Sequence, residues 1–459
     1  MLARRLSCVF MFCYALSAFS AVSIAEETKI QRIPVAKGIA SHPVNGGHCL
    51  ISDGEFQYIA FYDGGHQMTV GKRKLSQRQW DFVKLPERVG WDTHNRVVLF
   101  QDRKGYLHIT GNMHCSPLRY YRTSVPADIH TFQPIHKWTG DYEERVTYPS
   151  VLKLRDGSVY ILYRYGGSGN GMRILIHYDE QTRQWTKTAP ALTNGRQRNP
   201  TCNAYPFGVV AEDAAGRAPK AGILEDRNGV WHIAWCWREN PDVVTNFDIC
   251  YAKSTDRGVS WKTWDGRDLE LPITPENAHV VERIAQKSGL MNGGTLAADG
   301  EGRPYIGYGR FDEDGHNQIY VATPINGKWK NIQLTDWKHR FYFHGRGSIP
   351  QRPPVPRVSI TKDQKILVAY SHAYAEPRKG QLTLTREQLL TVKPGQYPIR
   401  KAQAVHLHVP HIRAINHGPL PSGFTHYMQQ ETDPANRDRK PENPKEPTMI
   451  YVVEAKNKG

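Results

Sequence analysis

Paired cysteines, long apolar runs and acidic residues are all scarce in this sequence, and each scarcity closes off a class of protein. None of the seven cysteines falls in a C-x-x-C pair. Setting aside Cys8 and Cys13 near the N-terminus leaves Cys49, Cys115, Cys202, Cys236 and Cys250, an odd set without paired spacing, which argues against a disulfide framework. After residue 25 no segment approaches the roughly 20 apolar residues that a membrane-spanning helix requires. Acidic residues number 44 against 60 lysines and arginines, a formal net charge of +16, so an anionic partner is favoured. No recognisable nucleic-acid-binding motif accompanies that charge.

What is present begins with a leader-like N-terminus: positive charge in residues 1–5, a mostly apolar stretch over 6–22, then Ser23-Ile24-Ala25 at the point a signal peptidase would cut. Residues 1–25 are read as a secretory signal, which predicts a secreted or periplasmic protein without a membrane anchor. An acidic polysaccharide outside the cell then suits the basic charge better than nucleic acid does. Modest hydrophobic content with 39 glycines, 30 prolines and 23 tyrosines suits a large all-β protein.

One theme recurs along the chain, an Asp/Gly-rich turn followed by a strand of alternating apolar and aromatic residues. It reads SDGEFQYIAFYD from Ser52, DRKGYLHIT from Asp102, RDGSVYILYRY from Arg155, DRNGVWHIAWCW from Asp226, DGEGRPYIGYG from Asp299 and KDQKILVAYSHAY from Lys362. Tryptophan-marked turns follow several copies, at Trp80, Trp185, Trp261 and Trp329. A period of roughly 50 to 70 residues with about four strands per unit is the signature of β-propeller blades. Six units are visible. Ser254 to Trp261, STDRGVSW, also matches the Asp-box pattern S-x-D-x-G-x-x-W, in which Ser and Asp brace a hairpin above a packed Trp. That motif speaks for fold and is silent on activity. The strand TMIYVVEA near the C-terminus is expected to close the ring against the N-terminal strands, so residues 26–459 are read as one domain.

The segment GWDTHN, then LFQDRKGYLHITGNMH and PLRYYR, followed by TYPSVLKLRDGSVYILYRYGGSGNG, NAYPFG and DICYAKSTDRGVSW, resembles the BNR-4 propellers, and among them the ulvan lyases of the polysaccharide lyase 25 type. The likeness runs from about Asn45 to about Arg357. It implies a single, seven-bladed propeller that cleaves a sulfated, uronate-containing polysaccharide, with His94 and His114 as the two active-site histidines, Tyr148 and Arg164 as the following Tyr/Arg pair, and Tyr205 as a further pocket residue. His108 has no counterpart there and is read as a strand histidine.

β-Elimination at a uronate asks for the same residue types. The C5 proton becomes acidic only when the adjacent carboxylate is neutralised, which makes Arg164 the candidate neutraliser, with His114 as a second donor to the same group. Tyr148 and His94 share the acid/base work, Tyr148 on condition that nearby cations depress its pKa from about 10. Tyr205 and, again, Arg164 and His114 would bind substrate. The alternatives are structural: Tyr148 before Pro149 could anchor a blade edge, Arg164 could sit in an ion pair, and Tyr205 could be packing. The chemistry requires no cofactor. A structural zinc on His232, Cys236 and Cys250 is conceivable, though without a fourth ligand, and the cysteines could equally fill core space. The expected partner is an anionic polysaccharide bound by a monomer, with neither nucleic acid nor membrane involved. Two other functions stay open, a sialidase-like glycoside hydrolase and a non-catalytic carbohydrate-binding propeller.

Overall fold

A computed structural model describes residues 30–40, 48–209, 220–347, 355–372, 375, 377–401, 412–433, 436 and 438–456. The expected signal segment, 1–25, lies outside these. The described strands form seven hydrogen-bonded sheets in a β-propeller arrangement. The one α-helix among the described residues is Arg386–Thr391, and no helix is long and apolar enough to cross a membrane.

Six blades, rather than the seven expected, follow the chain in order. The copies of the sequence theme supply one strand to each: Phe56–Tyr62, Leu107–Gly111, Val159–Gly167, Trp231–Arg238, Pro304–Phe311 and Ile366–Ser371. The remaining sheet is composite. Ile30–Gly38 runs antiparallel to Thr448–Lys456, which pairs in turn with Phe424–Gln430, so the two ends of the chain meet in one sheet and cover each other's edges.

The repeated aspartate explains why the theme folds as it does. In the second blade Asp102 accepts from the Tyr106 amide at 2.9 Å, which closes the turn, and its other oxygen lies 3.4 Å from His108 Nε2. His108 Nδ1 is 2.6 Å from Tyr120 Oη. The fourth blade repeats the arrangement: Asp226 accepts from the Val230 amide at 2.9 Å, and His232 bridges Asp226 at 3.2 Å and Tyr251 Oη at 2.6 Å. His108 and His232 are therefore framework residues, fully buried and hydrogen-bonded through both ring nitrogens.

That framework dismantles the conceivable zinc set. His232 has both nitrogens engaged. Cys236 stands opposite Ile249 and Cys250 opposite Trp235, and because neighbouring residues of a strand point to opposite faces, the two thiols lie on different sides of the sheet. Cys250 packs with Trp235 and Trp237 in one core cluster, Cys236 with Tyr251 in another. None of the five described cysteines is in a disulfide.

At the STDRGVSW turn, Ser254 Oγ donates to Asp256 at 2.7 Å and accepts from the Gly258 amide at 2.8 Å, and Asp256 accepts from the Ser260 amide at 2.9 Å. Trp261 is buried beneath, its Nε1 donating to the Gly258 carbonyl at 3.2 Å. Gly258 has φ +87°, and a Cβ there would come within 2.7 Å of Leu175; only glycine suits both demands.

Candidate active site

A row of residues crosses the third blade. The short strand His114–Ser116 forms one edge and pairs with Val146–Lys153, which pairs with Val159–Gly167 and that with Asn170–Asp179. The register places His114 opposite Thr147, Thr147 opposite Arg164, and Arg164 opposite Arg173. Residues directly opposite share a face of the sheet, so the row assembles His114, Arg164 and Arg173 on one side. Tyr148, next to Thr147, would ordinarily face the other way. A one-residue bulge between Thr147 and Ser150 and a left-handed φ of +54° at Tyr148 re-aim it, so that Arg164 Cζ lies 5.0 Å from its ring centroid. Bulges and strained non-glycine residues are concentrated where a side chain has to be redirected for function.

Arg164 is 1% exposed. Its Nε donates to the Gly166 carbonyl at 3.0 Å and Nη2 approaches Cys115 Sγ at 3.5 Å; it makes no ion pair among the described residues. The structural alternative of a carboxylate partner is thus absent there. Arg173, also buried, donates to the Ala204 carbonyl at 2.8 Å, and burial together with the neighbouring Arg164 pulls its pKa down to about 9. Two buried guanidinium groups side by side are costly unless an anion joins them.

His94 lies in the turn before strand Val97–Gln101 rather than on a strand. Asp92 shapes that turn, accepting from the His94 amide at 2.9 Å, and then holds both histidines: Oδ1 is 2.8 Å from His94 Nδ1 and Oδ2 is 2.5 Å from His114 Nδ1. Asp438 adds a second carboxylate 3.0 Å from His94 Nδ1. Burial opposes charge on His94, but hydrogen bonds to Asp438 and Asp92 outweigh it and lift its pKa to about 9. Asp92 is driven well below the usual carboxylate range, its burial overcome by the His114 and His94 hydrogen bonds. The two imidazole centroids are 4.6 Å apart, and Tyr148 stands 5.7 Å from His94 and 6.0 Å from His114. Asp92, His94 and His114 are also the one group among the described residues spaced to hold a metal ion, although each Nδ1 already faces a carboxylate at hydrogen-bond distance.

Tyr205, on strand Asn203–Pro206, completes the set. Its hydroxyl is 2.7 Å from Ser168 Oγ, and Arg173 and Arg238 stand 5.7 and 5.4 Å from its ring. The expected depression of a tyrosine pKa occurs here and not at Tyr148. Desolvation pushes Tyr148 up to about 12 despite Arg164, whereas at Tyr205 the same desolvation is overcome by Arg164, Arg238, Ser168 and Arg173, leaving it below its ordinary value. All five expected residues, His94, His114, Tyr148, Arg164 and Tyr205, are brought together. Asp92, Asp438, Arg173, Arg238 and Ser168 join them without having been foreseen; an aspartate two residues before His94 and an arginine inside the apolar run MRILI were the available signals.

The sequence profile of the BNR repeat-containing family matches residues 56–337. The chain belongs to that family. Among known proteins it is similar to an ulvan lyase of Alteromonas sp. (strain LOR), 20% identical over 294 residues that make up 58% of each protein; the match thus spans little more than half the length of that relative. Among solved structures it is similar to the polysaccharide lyase Uly1, with TM-score 0.59 and 14% identity over 95% of this chain and 94% of that one. It also resembles a PL25 ulvan lyase bound to -[GlcA(1-4)Rha3S]-, with TM-score 0.56 and 12% identity over 88% of this chain and 94% of that one. At these identities the structures show the shared fold.

Proposed function

We propose that this protein is a secreted polysaccharide lyase that cleaves a sulfated, uronate-containing polysaccharide of the ulvan kind by β-elimination, with STDRGVSW as an Asp-box. The observation that carries the reading is Arg164, buried without a carboxylate among the described residues and flanked by Arg173, Tyr148 and His114. A uronate carboxylate is the anion such a site would take, and its neutralisation by Arg164, with His114 as a further donor, acidifies C5. The named relatives, one of them bound to a glucuronate–sulfated rhamnose unit, support the substrate class.

Ionisation divides the acid/base work between His94 and Tyr148. With Tyr148 lifted to about 12 and His94 to about 9, both carry protons at neutral pH. His94 gives up its proton at the lower pH and is assigned the C5 proton; Tyr148, which keeps its own, protonates the departing O4. Tyr205 holds the carboxylate or its neighbour. The scheme calls for no cofactor, and the protein acts as a monomer on a soluble polyanion.

Incubation with ulvan tests this. A lyase releases ultraviolet-absorbing unsaturated uronate ends, and the rate falls as salt screens the polyanion. Saturated new ends would instead mark a sialidase-like hydrolase, and binding without new ends a carbohydrate-binding propeller. Equal turnover of carboxyl-reduced polymer would remove the carboxylate from the mechanism.

A further inference from the structure

Residues 438–440 lie beyond the stretch matched to the family, yet they reach the candidate site from the far end of the chain. Asp438 Oδ1 is 3.0 Å from His94 Nδ1 and accepts from Thr93 Oγ1 at 3.1 Å. Lys440 places Nζ 5.4 Å from the ring centroid of Trp91. The turn that carries His94 is therefore gripped at Trp91, Thr93 and His94 by one short segment.

We propose that Asp438 is a positioning residue for this site: with Asp92 it fixes the His94 ring through Nδ1, so that Nε2 is the nitrogen that exchanges a proton with the sugar. Asp92 alone is poorly placed to do this, because it divides its two oxygens between His94 and His114. A second carboxylate on the same nitrogen keeps the ring oriented when Asp92 follows His114. In the neutral ring, a carboxylate beside Nδ1 selects the tautomer with the proton there and leaves the Nε2 lone pair as the base. Neither carboxylate touches the reacting atoms in this scheme.

The backbone makes the test clean. Asp438 has φ +63°, a left-handed conformation that asparagine adopts as readily as aspartate. Asp438→Asn thus keeps the turn while removing the charge, and Asp438→Glu restores the charge on a longer arm. The contribution to turnover rests on the lyase reading; the hold on the ring does not. Two readouts on the full-length protein separate them. The first is kcat and KM on ulvan, where Asp438→Asn is expected to lower kcat about tenfold with KM within about twofold, and Asp438→Glu to recover part of the loss. The second is imidazole nitrogen NMR of histidine-labelled protein, recorded above the pH at which His94 gives up its proton and with the His94 signals assigned through their loss in His94→Gln, where Asp438→Asn is expected to shift the His94 nitrogens away from the parent's Nδ1–H pattern. Unchanged nitrogen signals overturn the proposal whatever happens to kcat, since Asp438 would then act elsewhere. Shifted signals with unchanged kcat overturn the catalytic role. Should the parent cleave no uronate polymer, the lyase reading fails and the NMR comparison alone decides whether Asp438 positions the ring.

Discussion

His108 and His94 each pair with an aspartate, and they end with opposite proton affinities. His108 is fully enclosed in the second blade, both nitrogens engaged by Asp102 and Tyr120, and burial pulls its pKa down even though Asp102 pulls the other way. His94 keeps about a fifth of its side chain exposed and faces two carboxylates, Asp92 and Asp438, which lift it to about 9. The same residue pair is thus a brace in one place and, in the proposed reaction, a reactive group in the other. What separates them is access to solvent and the number of carboxylates meeting the ring: one against full desolvation loses, two against partial desolvation win.

The comparison breaks most visibly in activity. Tyr148→Phe leaves the ring and its neighbours and removes only the hydroxyl, so kcat on ulvan should fall by at least about 10² with KM little changed. Arg164→Lys keeps the charge and loses the planar fork, and should damage both kcat and KM, because the carboxylate is held in the ground state and more tightly as charge builds. Near-normal turnover by Tyr148→Phe would take the tyrosine out of the mechanism. The framework pair should behave the other way round. His108→Ala leaves the Tyr120 hydroxyl and Asp102 without their buried partner, and should cost about 2–4 kcal/mol in urea unfolding while the folded protein retains the proposed activity at the parent's kcat. A large loss of kcat with unchanged stability in His108→Ala would erase the distinction between brace and reactive group.

The brace was the easier half to read from sequence. Each Asp/Gly turn announces itself locally, and the six copies fell on one strand of each consecutive blade. The reactive half was legible in part: His94, His114, Tyr148, Arg164 and Tyr205 came from family likeness, and the structure joins them. Asp438 was illegible because nothing local ties residue 438 to residue 94; only the meeting of the two chain ends does. The zinc set on His232, Cys236 and Cys250 failed for a related reason, since alternation fixes faces within one strand while the register to the next strand is a tertiary fact. Tyr148 shows the limit for pKa. A neighbouring arginine is visible in sequence, but the desolvation that outweighs it belongs to the folded pocket.

The pH dependence of turnover sharpens the comparison at a smaller scale. If His94 abstracts the proton, kcat/KM on ulvan should rise with pH through about 9, where the folded protein gives up that proton, and level off above it. A profile still climbing steeply above pH 10 would move the base to Tyr148, which burial holds near 12.

Stability gives the last and smallest contrast, with opposite signs for the two histidines. His94 binds its proton more tightly folded than unfolded, so its contribution is fully present below its ordinary pKa of about 6.5 and is lost as pH rises through about 9. The shift corresponds to about 3 kcal/mol as an upper bound, reduced by solvent reaching the ring. His108 is the reverse: its folded pKa is depressed, so the unfolded chain takes up the proton first and stability falls as pH drops below about 6.5, with no effect above it. Urea unfolding of the parent, His94→Gln and His108→Gln across pH 5 to 10 separates the terms as differences between variant and parent. The difference for His94→Gln should change between pH 6.5 and 9 and stay flat below; that for His108→Gln should change only on the acid side. If both variants shift stability in the same pH window, the two aspartate–histidine pairs are electrostatically alike, and access to the substrate is all that distinguishes brace from reactive group.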